Sequence, residues 1–206
     1  MGIYSKIIFP RLLDFAMSRP ELAALREKTL TELREPTLEI GFGTGTNLPF
    51  YPKRIQKVFA IDSNLGMHKL AQRRIKSSGV EVEYSFLNAE VLPFADKSFA
   101  SVASTFTLCS IEHPENALNE IYRILKPGGK LFFLEHGLSR EEQIQRWQNR
   151  LNPLNKIVAV GCNLNRNIRK IIEGTGFCIE RIEEFCLEKI PRTHGSMYRG
   201  IALKVE

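Results

Sequence analysis

Thr37-Leu38-Glu39-Ile40-Gly41-Phe42-Gly43-Thr44-Gly45-Thr46-Asn47 is the stretch on which the fold turns. Four strand-forming residues are halted by a glycine, and glycine then recurs at every second position through Gly45. A strand running into closely spaced glycines and then a helix lets a ligand approach bare backbone at a helix N-terminus. The next apolar run, Lys57 to Ile61, ends in Asp62. An acid about 20 positions beyond the first glycine is where an α/β nucleotide site grips ribose hydroxyls. Both features fall at the carboxyl ends of neighbouring strands, the edge at which such sheets bind ligands.

The rest of the chain follows the same alternation. Leu65 to Lys76 reads as a helix, Val80 to Phe86 and Ala100 to Ser104 as strands. Pro114 to Leu125 reads as a helix opened by proline, with Leu118, Ile121 and Leu125 on one face and Lys126-Pro127-Gly128-Gly129 ending it. Leu131 to Leu134 is a continuous apolar run, expected of a strand buried on both faces of a parallel sheet. A polar helix over Glu141 to Leu151 leads through Pro153 to an apolar segment, Ile157 to Val160, and another helix covers about Asn163 to Thr175. Phe177 to Phe185 and Met197 to Val205 alternate as an antiparallel hairpin at a sheet edge. The expected fold is therefore a doubly wound, Rossmann-like α/β sheet of seven strands, mostly parallel, with helices on both faces. One domain spans 1–206: a helical cap over 1–34, a ligand-binding core over 35–136, and acceptor-side helices with the hairpin over 137–206.

Composition excludes several classes. With 206 residues, 43% hydrophobic and 25% charged, the chain is an ordinary globular one rather than a disordered one. The net charge of +6 is scattered, with no more than two Lys or Arg in a row, so a solvated surface is expected and not a nucleic-acid footprint. The apolar start, Ile3 to Phe15, is broken by Lys6, Pro10, Arg11 and Asp14, which fits neither a signal peptide nor a membrane span. A cytoplasmic location and a monomer or homodimer are the expectations. Cys109, Cys162, Cys178 and Cys186 form no CxxC pair and no zinc-ligand spacing, so they are expected to be reduced and mostly packed as small apolar residues, with no metal.

A dinucleotide fingerprint, GxGxxG, needs its third glycine at position 46, where Thr46 stands; the spacing here is GxGxG preceded by the acid Glu39. Leu38 to Gly45, Ile61-Asp62-Ser63-Asn64, Asn88-Ala89-Glu90-Val91-Leu92-Pro93-Phe94 and Ile124 to Gly129 together resemble a class I S-adenosylmethionine-dependent methyltransferase of the type 11 group, over residues 37 to 136. The resemblance implies S-adenosylmethionine as cofactor. It implies contacts from Glu39, Gly41, Gly43, Gly45 and Asn47 in the loop, ribose binding by Asp62, and Ser63, Asn88, Ala89 and Glu90 near the adenine. Asn88 departs from the family's usual Asp. Thr105 matches the floor of the transfer site, and Tyr4 a residue that closes over the cofactor from the N-terminal helix.

A narrower likeness, through Tyr4, Pro10-Arg11, Asp14, Leu108-Cys109-Ser110, Glu135-His136 and Gly161-Cys162-Asn163-Leu164, is to small bacterial relatives of mammalian methyltransferase-like enzymes that alkylate small thiols. It implies a small-molecule acceptor. The mammalian relatives' membrane anchor has no counterpart in the expected reading.

His136, at the carboxyl end of the fifth strand, is the candidate base, with Glu135 orienting it or holding water; the alternative is a histidine that merely bonds a loop carbonyl. Cys162 and Asn163 are candidate acceptor contacts, unless Asn163 only caps the following helix. Trp147 either closes an apolar pocket or buries a helix. A lipid or quinone acceptor at a membrane surface is the second reading. Nucleic acid is disfavoured because Ser104-Thr105-Phe106-Thr107 stands where enzymes acting on exocyclic amino groups carry Asn/Asp-Pro-Pro-aromatic.

Overall fold

The structure, a computed structural model, describes residues 2–188 and 190–205. Its seven strands are β1 Thr37–Ile40, β2 Lys57–Asp62, β3 Glu81–Phe86, β4 Phe99–Thr105, β5 Leu125–His136, β6 Cys178–Cys186 and β7 Ser196–Leu203. They form one sheet in the order β3-β2-β1-β4-β5-β7-β6. The first five pair in parallel, while β7 runs antiparallel between β5 and β6. The strand order reverses between β1 and β4, so the crevice at their carboxyl ends is the switch point of the sheet.

Residue alternation explains the layers. Leu38, Ile40, Ile61, Val102, Leu131, Phe133 and Ala202 point to one face of the sheet; Val58, Ala60, Ala103, Phe132 and Ile201 point to the other. The first face is covered by α4 (Pro114–Ile124), through Ala117, Leu118, Ile121 and Ile124, and by α6 (Ile168–Glu173), through Ile168 and Ile172. The second is covered by Leu30 of α2 (Pro20–Leu30) and Ala71 of α3 (Leu65–Ser78). The edge strands β3 and β6 are half exposed and carry Glu81, Glu83, Glu180 and Arg181, charges that discourage further strand pairing.

Three expectations are corrected. The helix drawn through residues 163–175 is only Ile168–Glu173, because the preceding side chains are committed elsewhere. Asn163 donates to the carbonyls of Cys109 and Gly161, Arg166 to those of Leu108 and Glu112, and Asn167 caps α6 by accepting from the Lys170 N–H at 3.0 Å. Asn163 therefore is not the cap. The polar helix does not stop before Pro153: α5 (Glu142–Val158) runs through it. The turns flanking the proline are anchored by Asn152, which accepts the Leu164 N–H at 2.7 Å, and Asn155, which donates to the Cys162 carbonyl at 2.8 Å. These ties offset the hydrogen bond that proline removes. Finally, Lys126-Pro127-Gly128-Gly129 does not close α4 but bulges within β5, whose pairing with β4 resumes at Lys130.

Phe133 is fully buried in the middle of β5, with its ring tip where a side chain on Gly200 would sit. Phe133→Ala is expected to cost about 3–5 kcal/mol in urea unfolding. A loss within the ~0.5 kcal/mol of a surface change would show that the sheet is packed otherwise.

Candidate functional site

At the end of β1 the backbone turns at Gly41 with φ of 64°, and a Cβ there would lie 2.0 Å from Thr107 Oγ1. Only glycine meets both conditions. The loop is tied to the neighbouring strand by its own N–H groups: Phe42 donates to the Ile61 carbonyl at 3.0 Å, and Gly43 to Asp62 Oδ2 at 2.7 Å. Asp62 Oδ1 accepts the Asn64 N–H at 2.7 Å. Burial pushes the Asp62 carboxyl up, against the opposing pull of those two N–H donors. The acid and the glycine loop read from the sequence thus meet directly.

Beneath the loop lies a buried polar knot. Asn47 Nδ2 donates to Glu39 Oε1 at 2.9 Å and to Thr105 Oγ1 at 3.0 Å, while its Oδ1 accepts from Arg26 at 2.6 Å. Arg26 also donates to Thr105 Oγ1 at 3.0 Å and lies over the Phe106 ring, 5.4 Å from its centroid. Two atoms of this knot are buried without a partner among the described residues, Arg26 Nε and Glu39 Oε2. Burial pushes the Glu39 carboxyl up to about 8, with Arg26 opposing and Asp62 adding to the shift. Burial likewise lowers the Arg26 guanidinium to about 10, against the pull of Glu39. Sequence reasoning missed Arg26. The signal was present: Leu22, Arg26, Thr29 and Leu30 fall on one stripe of the helix, and all are buried. A charged residue on such a stripe is a candidate functional group.

The segment after β3 lies at the same edge, its Leu87 N–H donating to the Asp62 carbonyl at 3.3 Å. Asn88 is exposed and caps its own turn by accepting the Glu90 N–H at 3.1 Å; Glu90 accepts the His113 N–H at 3.3 Å, and Ala89 is buried. Ser63 is exposed. The N-terminal cap crosses the loop. Asp14, on α1 (Phe9–Met17), accepts from Thr44 Oγ1 at 2.5 Å and from Arg74 at 2.6 Å, and the Ser5 carbonyl accepts from Asn64 Nδ2 at 3.0 Å. The Tyr4 hydroxyl donates to the Val158 carbonyl at 2.7 Å, joining the cap to the end of α5.

At the end of β5, Glu135 is wholly buried and accepts from Ser104 Oγ at 2.8 Å, the Thr107 N–H at 3.0 Å and the Cys109 N–H at 3.4 Å. It shapes the turn after β4; burial raises its carboxyl pKa. His136 Nε2 faces Cys162 Sγ at 2.7 Å, and Cys162 Sγ lies 3.6 Å from Cys109 Sγ. His136 Nδ1 is buried without a partner among the described residues. The Cys109 contact and burial hold Cys162 as a neutral thiol. Trp147 buries no helix: it is 54% exposed, with Arg150 stacked at 5.8 Å.

Residues 38–133 match the family model described as Methyltransferase domain. Thiol S-methyltransferase TMT1B of Rattus norvegicus is 36% identical over 150 residues, 71% of this chain and 61% of that protein. The ubiquinone/menaquinone biosynthesis C-methyltransferase UbiE of Chromobacterium violaceum is 39% identical over 104 residues, 49% of this chain and 43% of that protein. The chain thus spans under two thirds of the length of these curated relatives. A SAM dependent methyltransferase from Aquifex aeolicus superposes with a TM-score of 0.66 over 95% of this chain and 98% of that chain, at 21% identity, which establishes a shared fold.

The buried acids set a pH signature. Glu39, Asp62 and Glu135 all have raised pKa values in the folded chain, so they bind more protons folded than unfolded. Stability from this source is complete below the unfolded carboxylate range and lost as pH rises through the folded values, up to about 8 for Glu39. Urea midpoints should therefore decrease as pH rises from about 5 to about 8, and Glu39→Gln should shrink the decrease. An unchanged slope in the variant would show that Glu39 ionises as it does in water.

Proposed function

We propose, on the premise that residues 38–133 form a methyltransferase domain of the class I fold, that this chain is an S-adenosylmethionine-dependent methyltransferase acting on a small-molecule acceptor, with a thiol as the favoured class. The observation that carries the reading is the presence of two buried unpartnered atoms, Arg26 Nε and Glu39 Oε2, beside the Asp62-held glycine loop; an ammonium bound at Glu39 would favour its carboxylate form. The cofactor's amino-acid end bears a carboxylate and an ammonium, complementary to those two atoms, and its ribose hydroxyls suit Asp62. We assign the amino-acid end to Arg26 and Glu39, with Asn47 and Thr105 holding them in place. The ribose goes to Asp62, and the adenine surroundings to Ser63, Asn88, Ala89 and Glu90. Tyr4 acts through the cap rather than on the carboxylate, since its hydroxyl is committed to Val158.

Bound there, the cofactor supplies an electrophilic methyl group on a sulfonium. The chain's own work is orientation and the exclusion of water, and alignment alone can contribute ~7–11 kcal/mol. A thiol with pKa ~8.5 is already a few per cent thiolate at neutral pH, so strong general-base machinery is not required. That agrees with His136, whose Nε2 is occupied by Cys162. The thiol preference is supported by the relative that matches the larger share of the chain.

A second reading, a lipid or quinone acceptor, is favoured by an exposed apolar surface. Phe15 (84% exposed), Leu12, Ile7 and Ile8 are exposed on the cap and Leu154, Ile157 (75%) and Val158 on α5, and the Tyr4–Val158 bond ties the two segments together. Lys6, Arg11 and Lys156 are exposed on the same segments. Among the described residues no helix is long and apolar enough to cross a membrane, so the contact would be peripheral.

Asp62→Ala should weaken S-adenosylmethionine binding by about 1–3 kcal/mol in calorimetry, through lost charge-assisted hydrogen bonds. Unaltered affinity would remove the ribose assignment. Co-sedimentation with phosphatidylglycerol vesicles separates the acceptor classes. Binding that Phe15→Asp abolishes favours the lipid or quinone reading, and no binding by the unmodified chain removes it.

A further inference from the structure

We infer that Cys109, His136 and Cys162 form a site for a thiophilic divalent cation of the zinc class, with a fourth position left for an exogenous thiolate. The three residues come from the turn after β4, the end of β5 and the loop after α5, and their ligand atoms all lie within 4.8 Å of one another. The two sulfurs stand 3.6 Å apart. A tetrahedral zinc with Zn–S of about 2.3 Å sets its sulfurs roughly 3.8 Å apart. His136 Nε2, at 2.7 Å from Cys162 Sγ, has to retreat by about 0.8 Å to reach the corresponding nitrogen–sulfur edge. A disulfide would instead need the sulfurs to close to about 2.05 Å.

The backbone is organised around this meeting. Asn163 gives both its N–H (2.9 Å) and its Nδ2 (3.1 Å) to the Cys109 carbonyl, and Asn155 holds the Cys162 carbonyl at 2.8 Å. Glu135 fixes the Cys109 N–H. The turn that aims Cys162 is strained: Val160, a β-branched residue, has φ of 46°, and Gly161 has φ of 97°. Left-handed backbone at a β-branched residue persists where the surroundings impose it, and such positions cluster at functional sites.

The chemistry selects the ligand. Two thiols and an imidazole suit zinc and its soft neighbours, not magnesium or calcium. On binding, each cysteine sheds its proton to solvent, and two thiolates neutralise a divalent charge. Other titratable and charged groups beside the site are the buried Glu135, whose carboxyl pKa burial raises, and the Arg166 guanidinium, which donates to the Leu108 carbonyl. Nε2 is the ligating nitrogen, with the ring hydrogen on Nδ1. Three protein ligands are the pattern of a cation that also receives an outside ligand. A coordinated thiol is deprotonated outright, so the site would hold an acceptor's sulfur as thiolate. Only that last use rests on the methyltransferase reading.

The test uses the full chain, stripped of metal under a phosphine reductant and titrated with Co²⁺ as a spectroscopic probe. One Co²⁺ per chain is expected, with tetrahedral d–d bands and sulfur-to-cobalt charge transfer, displaced by Zn²⁺. Cys109→Ser and Cys162→Ser should each weaken binding by at least the roughly 10–100-fold that loss of a supporting group costs. Cys178→Ser and Cys186→Ser, at exposed positions, should not. On the unmodified chain, Zn²⁺ should protect Cys162 from iodoacetamide but leave Cys178 and Cys186 reactive, a readout free of folding defects. Added 2-mercaptoethanol should shift the charge-transfer band. Octahedral cobalt, binding retained without Cys162, or equal alkylation with and without Zn²⁺ would overturn the site. A spectrum indifferent to 2-mercaptoethanol would overturn the open position. Cobalt binding beside absent S-adenosylmethionine binding would overturn the function proposed above and leave this site standing.

Discussion

The contact between Asp62 and the Gly43 N–H, at 2.7 Å, is the constraint on which the rest of the site depends. It joins the tip of β2 to the loop leaving β1 and fixes the bare backbone of that loop relative to a carboxylate. Parallel pairing alone would bring the two strand ends near each other; it would not set the loop's conformation. With Gly41 unable to carry a side chain and Thr107 packed against it, the backbone leaving β1 stays bare at this point, and side chains shape the crevice only around it. The cap then lies over it through Asp14, Thr44 and Arg74.

Below that loop the molecule tolerates an arrangement that works against its own stability. Glu39 and Arg26 are buried beside two apolar cores, and burial drives both towards their neutral forms. Removing either one leaves the other less compensated, whereas apolar side chains of similar volume would often serve the fold equally well. The two unpartnered atoms in the knot are therefore better understood as groups held ready for a ligand than as contributions to folding.

The end of β5 shows a comparable arrangement with different chemistry. Glu135, which reads in the sequence as a partner for His136, spends its oxygens on Ser104, Thr107 and Cys109 instead. In doing so it sets the turn that presents Cys109 to Cys162. The strained Val160-Gly161 turn completes that meeting from the other side. Thus a buried carboxylate and a strained turn decide which side chains face one another at the end of β5.

The amino-acid order by itself determined the sheet, the glycine loop and its acidic partner. These are local signals: strand alternation, glycine at positive φ, and a carboxylate closing a strand at a set distance from the loop. Local rules also misjudged the chain where distant groups intervened. Pro153 was tolerated because Asn152 and Asn155 anchor the turns around it, and residues 163–167 stayed out of α6 because their side chains bond elsewhere. Only the tertiary structure could place Arg26 against Asn47 and Thr105, or bring Cys109, His136 and Cys162 together. Those side chains are brought together by sheet order and loop closure, between residues 21 to 79 positions apart in the first case and 26 to 53 in the second, and no spacing along the chain records such contacts.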